Sequence, residues 1–214
     1  MSSKTTGVVV GRIIGVCGLN ASGKSTVCSF FKDKGYHVFS LSDVLRQELK
    51  NRHIEESREA LINIGNELRN KHGPGILATM ALQTVIGGGG GEGRNKDVNY
   101  VIDSIRHPEE VRQLRMQKDY PFCLIGVDCS PETRYARLKS RARQGDNTIS
   151  LEQFLRIDGL ETNNPDPNGQ QVGAVLALSD IRIDNNQDSS YEQFQHDVQQ
   201  HLGGQVEAFF DQKR

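Results

Sequence analysis

A short glycine-rich stretch, GLNASGKST from Gly18 to Thr26, carries the residue types that bind phosphate. Its spacing fits G-x-x-x-x-G-K-[ST], in which backbone N–H groups surround phosphate oxygens while the lysine and the hydroxyl add a positive charge and a metal ligand. The stretch follows the apolar run IIGVC and opens an amphipathic segment, so a strand, a tight turn and a helix N-terminus are expected in that order. This context predicts a phosphate-binding loop.

Each position of this loop has an expected part in binding ATP. Gly18 and Gly23 let the backbone fold closely around phosphate oxygens. Lys24 is expected to bridge the terminal phosphates and to act in catalysis, and Ser25 offers its hydroxyl to Mg²⁺. The residues expected to contact ATP are Gly18, Asn20, Ala21, Ser22, Gly23, Lys24, Ser25 and Thr26.

Acids and arginines after two other apolar runs form a candidate acceptor site. Asp43 and Arg46 in SLSDVLRQELK are one helical turn apart, and VIDSIRHPEEV places Asp103 at the end of a strand with Arg106 just beyond. Strand carboxyl ends open toward the phosphate-binding loop, so these side chains should face the nucleotide. Asp103 is the expected Mg²⁺ partner, and Arg46 and Arg106 should bind the acceptor. Asp43 should orient it, acting as a base for a hydroxyl acceptor. Alternatively, Asp43 is only an N-terminal helix acid and Arg46 a solvated surface residue.

A third group of arginines lies in SPETRYARLKSRARQ, where Arg134, Arg137 and Arg141 fall on one helical stripe. A glycine-containing loop and a second helical pattern follow, which predicts a closing lid over about residues 134–172 that excludes water. Arg137 and Arg141 are the expected catalytic contacts to the nucleotide, because guanidinium groups bind phosphate oxygens bidentately. The alternative is a solvated helix face.

The elements that must position these residues alternate between apolar runs and helical patterns, which predicts a parallel sheet covered by helices in a single domain spanning residues 1–214. Strand candidates are Arg12 to Cys17, His37 to Leu41, Asn99 to Asp103, Phe122 to Cys129 and Ile181 to Ile183. GGGGGEGRN, from Gly87 to Asn95, and NNPDPNGQQ, from Asn163 to Gln171, predict loops, the second projecting near the lid. Asn185 and Asn186, after the last strand, either touch the adenine or form an ordinary polar loop.

Composition limits the function classes. The 26 Lys and Arg residues nearly balance the 27 Asp and Glu residues, which argues against a nucleic-acid or polybasic membrane protein. The 4 cysteines form no C-x-x-C pair and lie in or beside apolar runs, as buried thiols of a reducing compartment would. The polar start MSSKTTG and Arg12 within the next apolar run argue against a signal peptide or a membrane span. A cytoplasmic protein is expected.

Two other classes of triphosphate-binding protein fit the sequence poorly. A GTPase normally reads guanine with N-K-x-D, but Asn95, Lys96 and Asp97 have no intervening residue and precede a strand. A mechanical ATPase usually has a longer chain and a second acidic motif. A small-molecule kinase needs cations and an acid around an acceptor, which this chain supplies.

GLNASGKST, SLSDVLR and VIDSIR together resemble the nucleoside monophosphate kinase and dephospho-CoA kinase group of phosphate-loop kinases. The stretch from SPETRYARLKSRARQGDNTISLEQFLRIDGLE to LALSDIRIDNN is similar to an archaeal family of predicted nucleotide kinases and to the phosphate-loop domain of some fungal deoxycytidylate deaminases. The likeness covers about residues 11–200. Where adenylate-kinase-like proteins have DG-x-P-R, this chain has DSIRH.

The resemblance implies a three-layer α/β fold with a five-stranded parallel sheet and a helical lid, and ATP with Mg²⁺ as donor. It assigns the phosphate-binding loop to ATP, Asp43 and Arg46 to the acceptor, and Arg106 to the acceptor phosphate. The expected reaction is phosphoryl transfer to a nucleoside or deoxynucleoside monophosphate, by a monomer or homodimer with a small-molecule partner. The alternatives are transfer to a hydroxyl, as in dephospho-CoA kinases, and a nucleotide-sensing module without turnover.

Overall fold

The computed structural model describes residues 11–87, 97–140, 149–186 and 191–213. Within them, five parallel strands form one sheet in the order β2-β3-β1-β4-β5. The strands are β1 (Ile13–Cys17), β2 (His37–Ser40), β3 (Tyr100–Ile105), β4 (Phe122–Asp128) and β5 (Ile181–Asp184). The predicted α/β fold with a five-stranded parallel sheet is confirmed, and each predicted strand is present with small shifts at its ends.

Helices cover both faces of the sheet. They are α1 (Lys24–Asp33), α2 (Leu41–Asn51), α3 (Arg58–His72), α4 (Ile76–Val85), α5 (Pro108–Arg115), α6 (Pro131–Ser140), α7 (Leu151–Thr162), α8 (Val172–Ala177), α9 (Tyr191–Asp197) and α10 (Gly203–Gln212), with a π-helical turn at Val198–Leu202 between the last two.

Two hydrophobic cores lie on opposite faces of the sheet, because successive strand residues point to opposite sides. Ile13 packs with α2 to α5 and α8, whereas Ile14 packs with α1 and the C-terminal helices. All five residues of β1 are buried, as the central strand of a parallel sheet requires. The molecule therefore has the three-layer arrangement that the sequence indicates, with the phosphate-binding loop at the carboxyl end of its central strand.

The β3 strand carries a local irregularity at the same edge. Gly15 of β1 pairs with Ile102 and Cys17 pairs with Ile105, so β3 has one more residue than β1 between these pairs. Ser104 lies within this irregularity with φ 64°, a left-handed backbone that a non-glycine residue adopts at some cost. Asp103 was expected to end the strand, but β3 continues to Ile105. The bulge directs Asp103 and Ser104 into the site described below.

Several sequence interpretations concern loops, cysteines and the membrane. The segment from Asn163 to Gln171 is a loop as predicted, and its end contacts the turn after β3, where the Gln171 N–H donates to the Arg106 carbonyl oxygen at 2.7 Å. The predicted loop from Gly87 to Asn95 lies outside the described residues, apart from Gly87.

The four cysteines are free and buried as predicted, and burial raises the pKa of the Cys17 thiol to about 11. No described helix has both the length and the apolar character needed to cross a bilayer.

Candidate functional site

The loop between β1 and α1 has the backbone shape that phosphate binding requires. Gly18 and Gly23 have φ angles of 145° and 107°, which L side chains rarely adopt. A Cβ atom at Gly18 would lie 2.3 Å from the Val127 carbonyl oxygen, and one at Gly23 would lie 2.5 Å from Nδ2 of Asn185. Ala21 also has a positive φ, 63°. The loop therefore depends on glycine at both positions.

Lys24, the first residue of α1, is half-buried in this loop. Its Nζ donates a hydrogen bond to the Leu19 carbonyl oxygen at 2.8 Å. Burial lowers the pKa of Lys24 to about 8, while the nearby Asp103 carboxylate acts in the opposite direction. The ammonium is thus charged at neutral pH yet poorly solvated, which favours contact with an anion.

Asn185, at the end of β5, supports the loop from behind. Its Nδ2 donates to the Ser22 carbonyl oxygen at 2.8 Å, and Arg137 of α6 donates to the Asn185 side-chain oxygen at 3.2 Å and to its carbonyl oxygen at 3.1 Å. Asn185 is 3% exposed. It therefore braces the loop, a role that neither sequence-based alternative for this residue anticipated, and it joins Arg137 to the loop.

A cavity of about 600 Å³ opens beside the loop and contains most of the predicted acceptor residues. Lys24, Asp103, Arg46 and Arg106 all line it, although they come from different elements. Leu45, Leu61, Ile62 and Leu77 provide apolar wall between the charged groups. The two arginines that the sequence predicts to face the phosphate-binding loop thus line the same cavity as Lys24 of that loop.

Arg46 and Asp43 form an exposed pair at the cavity mouth. Arg46 Nη1 donates to Asp43 Oδ1 at 2.7 Å, and Arg46 Nε donates to Glu56 at 3.0 Å. The second oxygen of Asp43 accepts the Ser40 N–H at 3.2 Å in a capping box that begins α2. Asp43 does not belong to the cavity wall among the described residues. Its geometry places it behind Arg46, as a helix cap and as that arginine's partner.

Arg106 is held at the far side of the cavity by the loop from Asn163 to Gln171. Its Nη1 donates to Gln170 Oε1 at 2.9 Å and lies 3.7 Å from a carboxylate oxygen of Glu161 on α7. Gln170 and Glu161 also line the cavity. The sequence pairs neither residue with Arg106, because these contacts span more than 50 positions along the chain.

Asp103 and Ser25 have the chemistry of a magnesium site. Asp103 Oδ1 is buried with no hydrogen-bond partner in the described structure, whereas Oδ2 accepts from Ser104 at 3.3 Å. Ser25 is exposed at the start of α1. Across the described ranges, no three His, Cys, Asp or Glu side chains form a metal cluster. Mg²⁺ is usually held by one or two carboxylates together with substrate phosphates, so an unpartnered carboxylate oxygen beside the loop fits this ion.

The described arginines of α6 lie in two different environments. Arg134 is 1% exposed and forms a bidentate ion pair with Asp158 of α7, in which Nη2 donates to Oδ2 at 2.7 Å. Its Nε donates to the Cys129 carbonyl oxygen at 2.8 Å. Arg137 approaches the phosphate-binding loop through Asn185. Arg141, also predicted to contact the nucleotide, lies outside the described residues.

Comparisons with known proteins identify the family of this chain. The AAA domain family matches residues 14–154. A UPF0200 protein of Pyrococcus abyssi is 30% identical over 193 residues, which cover 87% of this chain and 93% of that protein. This match confirms the resemblance to archaeal proteins that the sequence suggested.

Two solved structures share the fold at low sequence identity. A shikimate kinase from Bacteroides thetaiotaomicron has a TM-score of 0.56 at 11% identity and covers 92% of this chain and 98% of its own. A gluconokinase from Sinorhizobium meliloti has a TM-score of 0.50 at 12% identity, with coverage of 96% and 99%. The chain therefore belongs to the UPF0200 family and carries an AAA domain, in the fold of the phosphate-loop kinases.

Proposed function

We propose that this protein transfers the terminal phosphoryl group of ATP to a nucleoside or deoxynucleoside monophosphate. The observation that carries the proposal is that Lys24 of the phosphate-binding loop, Arg46 and Arg106 line one shared cavity. Phosphoryl transfer depends on positioning the two substrates and neutralising charge, and this cavity offers both. The apolar side chains of the cavity wall can pack against the uncharged part of the acceptor.

The chain's own residues take the following parts in the proposed reaction. Backbone N–H groups of Gly18 to Thr26 hold the triphosphate, and Lys24 donates to its terminal oxygens. Arg46 leaves Asp43 and Glu56 to hold the acceptor phosphate together with Arg106. Ser25 and Asp103 would hold Mg²⁺, which supplies positive charge at the transferred group. The lid proposed for about residues 134–172, with Arg137 and Arg141, would exclude water.

A monophosphate acceptor suits the site because its phosphate oxygen is already an anion at neutral pH and needs no strong base. Asp43, the predicted base for a hydroxyl acceptor, is engaged in the capping box and the ion pair with Arg46. The resemblance to the phosphate-loop domain of fungal deoxycytidylate deaminases supports including deoxynucleotides among the acceptors.

An acceptor panel tests this proposal. The purified full chain with ATP and Mg²⁺ is incubated with ribonucleoside and deoxyribonucleoside monophosphates, dephospho-CoA, shikimate and gluconate. We expect one or more monophosphates to yield the matching diphosphate, in equal amount to ADP, at about 1–100 turnovers per second. A phosphorylated hydroxyl product would replace the proposed acceptor class. Tight ATP binding with no product from any compound would favour a nucleotide sensor.

The lowered pKa of Lys24 gives the proposed ATP binding a defined pH dependence. Below about pH 8 the ammonium is charged in the free protein, so ATP affinity should be insensitive to its titration. Above this pH the free protein must take up a proton to bind, because the triphosphate favours the charged form. The dissociation constant should then rise by up to about tenfold per pH unit.

Calorimetry of ATP binding between pH 7 and pH 9.5, in pairs of buffers with different ionisation enthalpies, measures both the affinity and the proton uptake. Lys24→Met should bind ATP more weakly at every pH and should lose this part of the pH dependence. A wild-type affinity that stays flat above pH 8, with no proton uptake, would contradict the role given to Lys24.

A further inference from the structure

Arg69, on the inner side of α3, is a buried cation in the wall of the same cavity. The residue is 3% exposed and lines the cavity together with Lys24, Arg46 and Arg106. In the sequence it lies in NELRNKHG, outside every motif discussed above. The sequence alone therefore does not indicate that Arg69 lines the cavity.

The guanidinium of Arg69 is poorly satisfied within the described protein. Its Nη2 lies 3.5 Å from Glu110 Oε1, at the outer limit of a hydrogen bond. Its Nε is buried and has no hydrogen-bond partner among the described residues. A buried charge with one long contact is costly unless another group completes its hydrogen bonds.

Glu110 cannot supply the missing contacts, because its other oxygen is already used. Oε2 accepts the backbone N–H groups of Arg106 at 2.7 Å and His107 at 3.1 Å, which fixes the turn between β3 and α5. Glu110 is fully buried. It thus keeps Arg69 beside the turn that carries Arg106, while leaving guanidinium donors available.

The charges in the cavity show what would satisfy Arg69. Four cationic side chains line the cavity, namely Lys24, Arg46, Arg69 and Arg106, against the two carboxylates Asp103 and Glu161. Guanidinium groups bind phosphate oxygens in a bidentate geometry that an ammonium cannot reproduce. The cavity therefore fits a dianionic group.

We propose that Arg69 binds the phosphate of the acceptor directly, through Nε and one terminal nitrogen, and that Glu110 is the residue that positions it. This inference rests on the proposed function and adds to it a third acceptor-binding arginine, from a helix that the sequence motifs do not include. It limits acceptors to phosphate monoesters, since a neutral alcohol would leave the buried guanidinium unsatisfied.

Inorganic phosphate is the probe for this site, measured by calorimetry with the phosphate-binding loop filled by saturating ADP and Mg²⁺. Arg69→Lys keeps the charge but removes the planar fork, and should weaken phosphate binding about ten- to hundredfold. ADP affinity should remain within twofold. The matched control is Arg52→Lys, because Arg52 joins α2 to α3 through Glu67 on the exposed outer surface. It should leave phosphate binding unchanged.

A second variant and a measurement on wild type keep the test decisive if Arg69→Lys folds poorly. Arg69→Met/Glu110→Gln removes both charges, and a glutamine carbonyl oxygen can still accept from the Arg106 and His107 backbones. It should lose phosphate binding. In wild-type protein, phosphate should shift the NMR signal of the Arg69 Nε–H group.

The outcomes separate this inference from the proposed function. Phosphate binding that is unaffected by either variant, or an Nε–H signal that does not move, would overturn the assignment even if the protein transfers phosphoryl groups. Phosphate binding that depends on Arg69 in a protein without turnover would support the assignment while removing the kinase proposal. Where turnover occurs, Arg69→Lys should raise the KM of the acceptor and leave the KM of ATP within twofold.

Discussion

Replacing Lys24 with methionine is expected to lower ATP-dependent phosphoryl transfer at least ~1,000-fold without destabilising the fold. The transfer is lost because no other side chain at the start of α1 can place a positive charge on the terminal phosphates. Product formation at saturating ATP and acceptor measures this effect, and chemical denaturation at pH 7 measures the free energy of unfolding.

Stability should be unchanged or higher in Lys24→Met, because burial of the ammonium opposes folding. The ordinary pKa of 10.5 falls to about 8 in the folded protein, so the unfolded chain holds this proton more tightly. The resulting penalty is fully present below about pH 8 and disappears as the pH rises to about 10.5. Methionine removes this penalty but also loses the hydrogen bond to Leu19. We expect a net gain of at most about 1 kcal/mol in the free energy of unfolding at pH 7.

Lys32→Met is the matched control, since Lys32 is an exposed lysine in the last turn of the same helix. It should retain transfer within twofold. A Lys24→Met protein that transfers phosphoryl groups within tenfold of wild type would refute the role of Lys24. A variant that loses both activity and several kcal/mol of stability would show that the lysine is needed for folding.

The local parts of this site can be predicted from the sequence because their causes are local. Gly18 and Gly23 are needed for backbone angles that belong to single residues, and their spacing to Lys24 lies within one loop. The β1 strand is a short apolar run, and Asp43 follows Ser40 at the spacing of a capping box. Each of these features depends on residues that lie within a few consecutive positions.

Other parts arise only when distant segments meet. Gln170 reaches Arg106, and Asn185 reaches Ser22, across more than 60 and 160 positions respectively, so no spacing rule could pair them. Helix α4 was not predicted because ILATMALQTV is apolar on nearly every side and lacks a capping side chain. Arg69 was missed for a related reason: an arginine in a helix is usually solvated, and only the fold shows that it is buried.

The α6 arginines show that helical spacing alone does not decide which residue is buried. Arg134 and Arg137 are three positions apart, and the sequence predicts a shared stripe. The fold buries the first against Asp158, 24 positions away, and turns the second toward Asn185. A helical repeat therefore shows which residues are neighbours, whereas the packing partner decides which of them is structural.

Arg134→Met is expected to destabilise the protein by about 3–5 kcal/mol, the largest effect on stability that we predict. Arg134 joins the end of β4, α6 and α7 through Cys129 and Asp158. Methionine fills a similar volume but leaves the carboxylate of Asp158, a residue that is 8% exposed, without its counter-charge. Chemical denaturation monitored by circular dichroism measures the loss. Nucleotide affinity, measured well below the unfolding transition, should change far less than in Lys24→Met.

Two further variants identify the cause of this loss. Arg134→Met/Asp158→Leu removes both charges and should recover at least half of the lost stability, because an apolar pair of similar size can replace a buried ion pair. Arg112→Met breaks the exposed pair with Glu109 on α5 and should leave the unfolding midpoint unchanged. If the double variant is as unstable as Arg134→Met, the loss comes from packing and from the bond to Cys129. The uncompensated carboxylate of Asp158 would then not be its source.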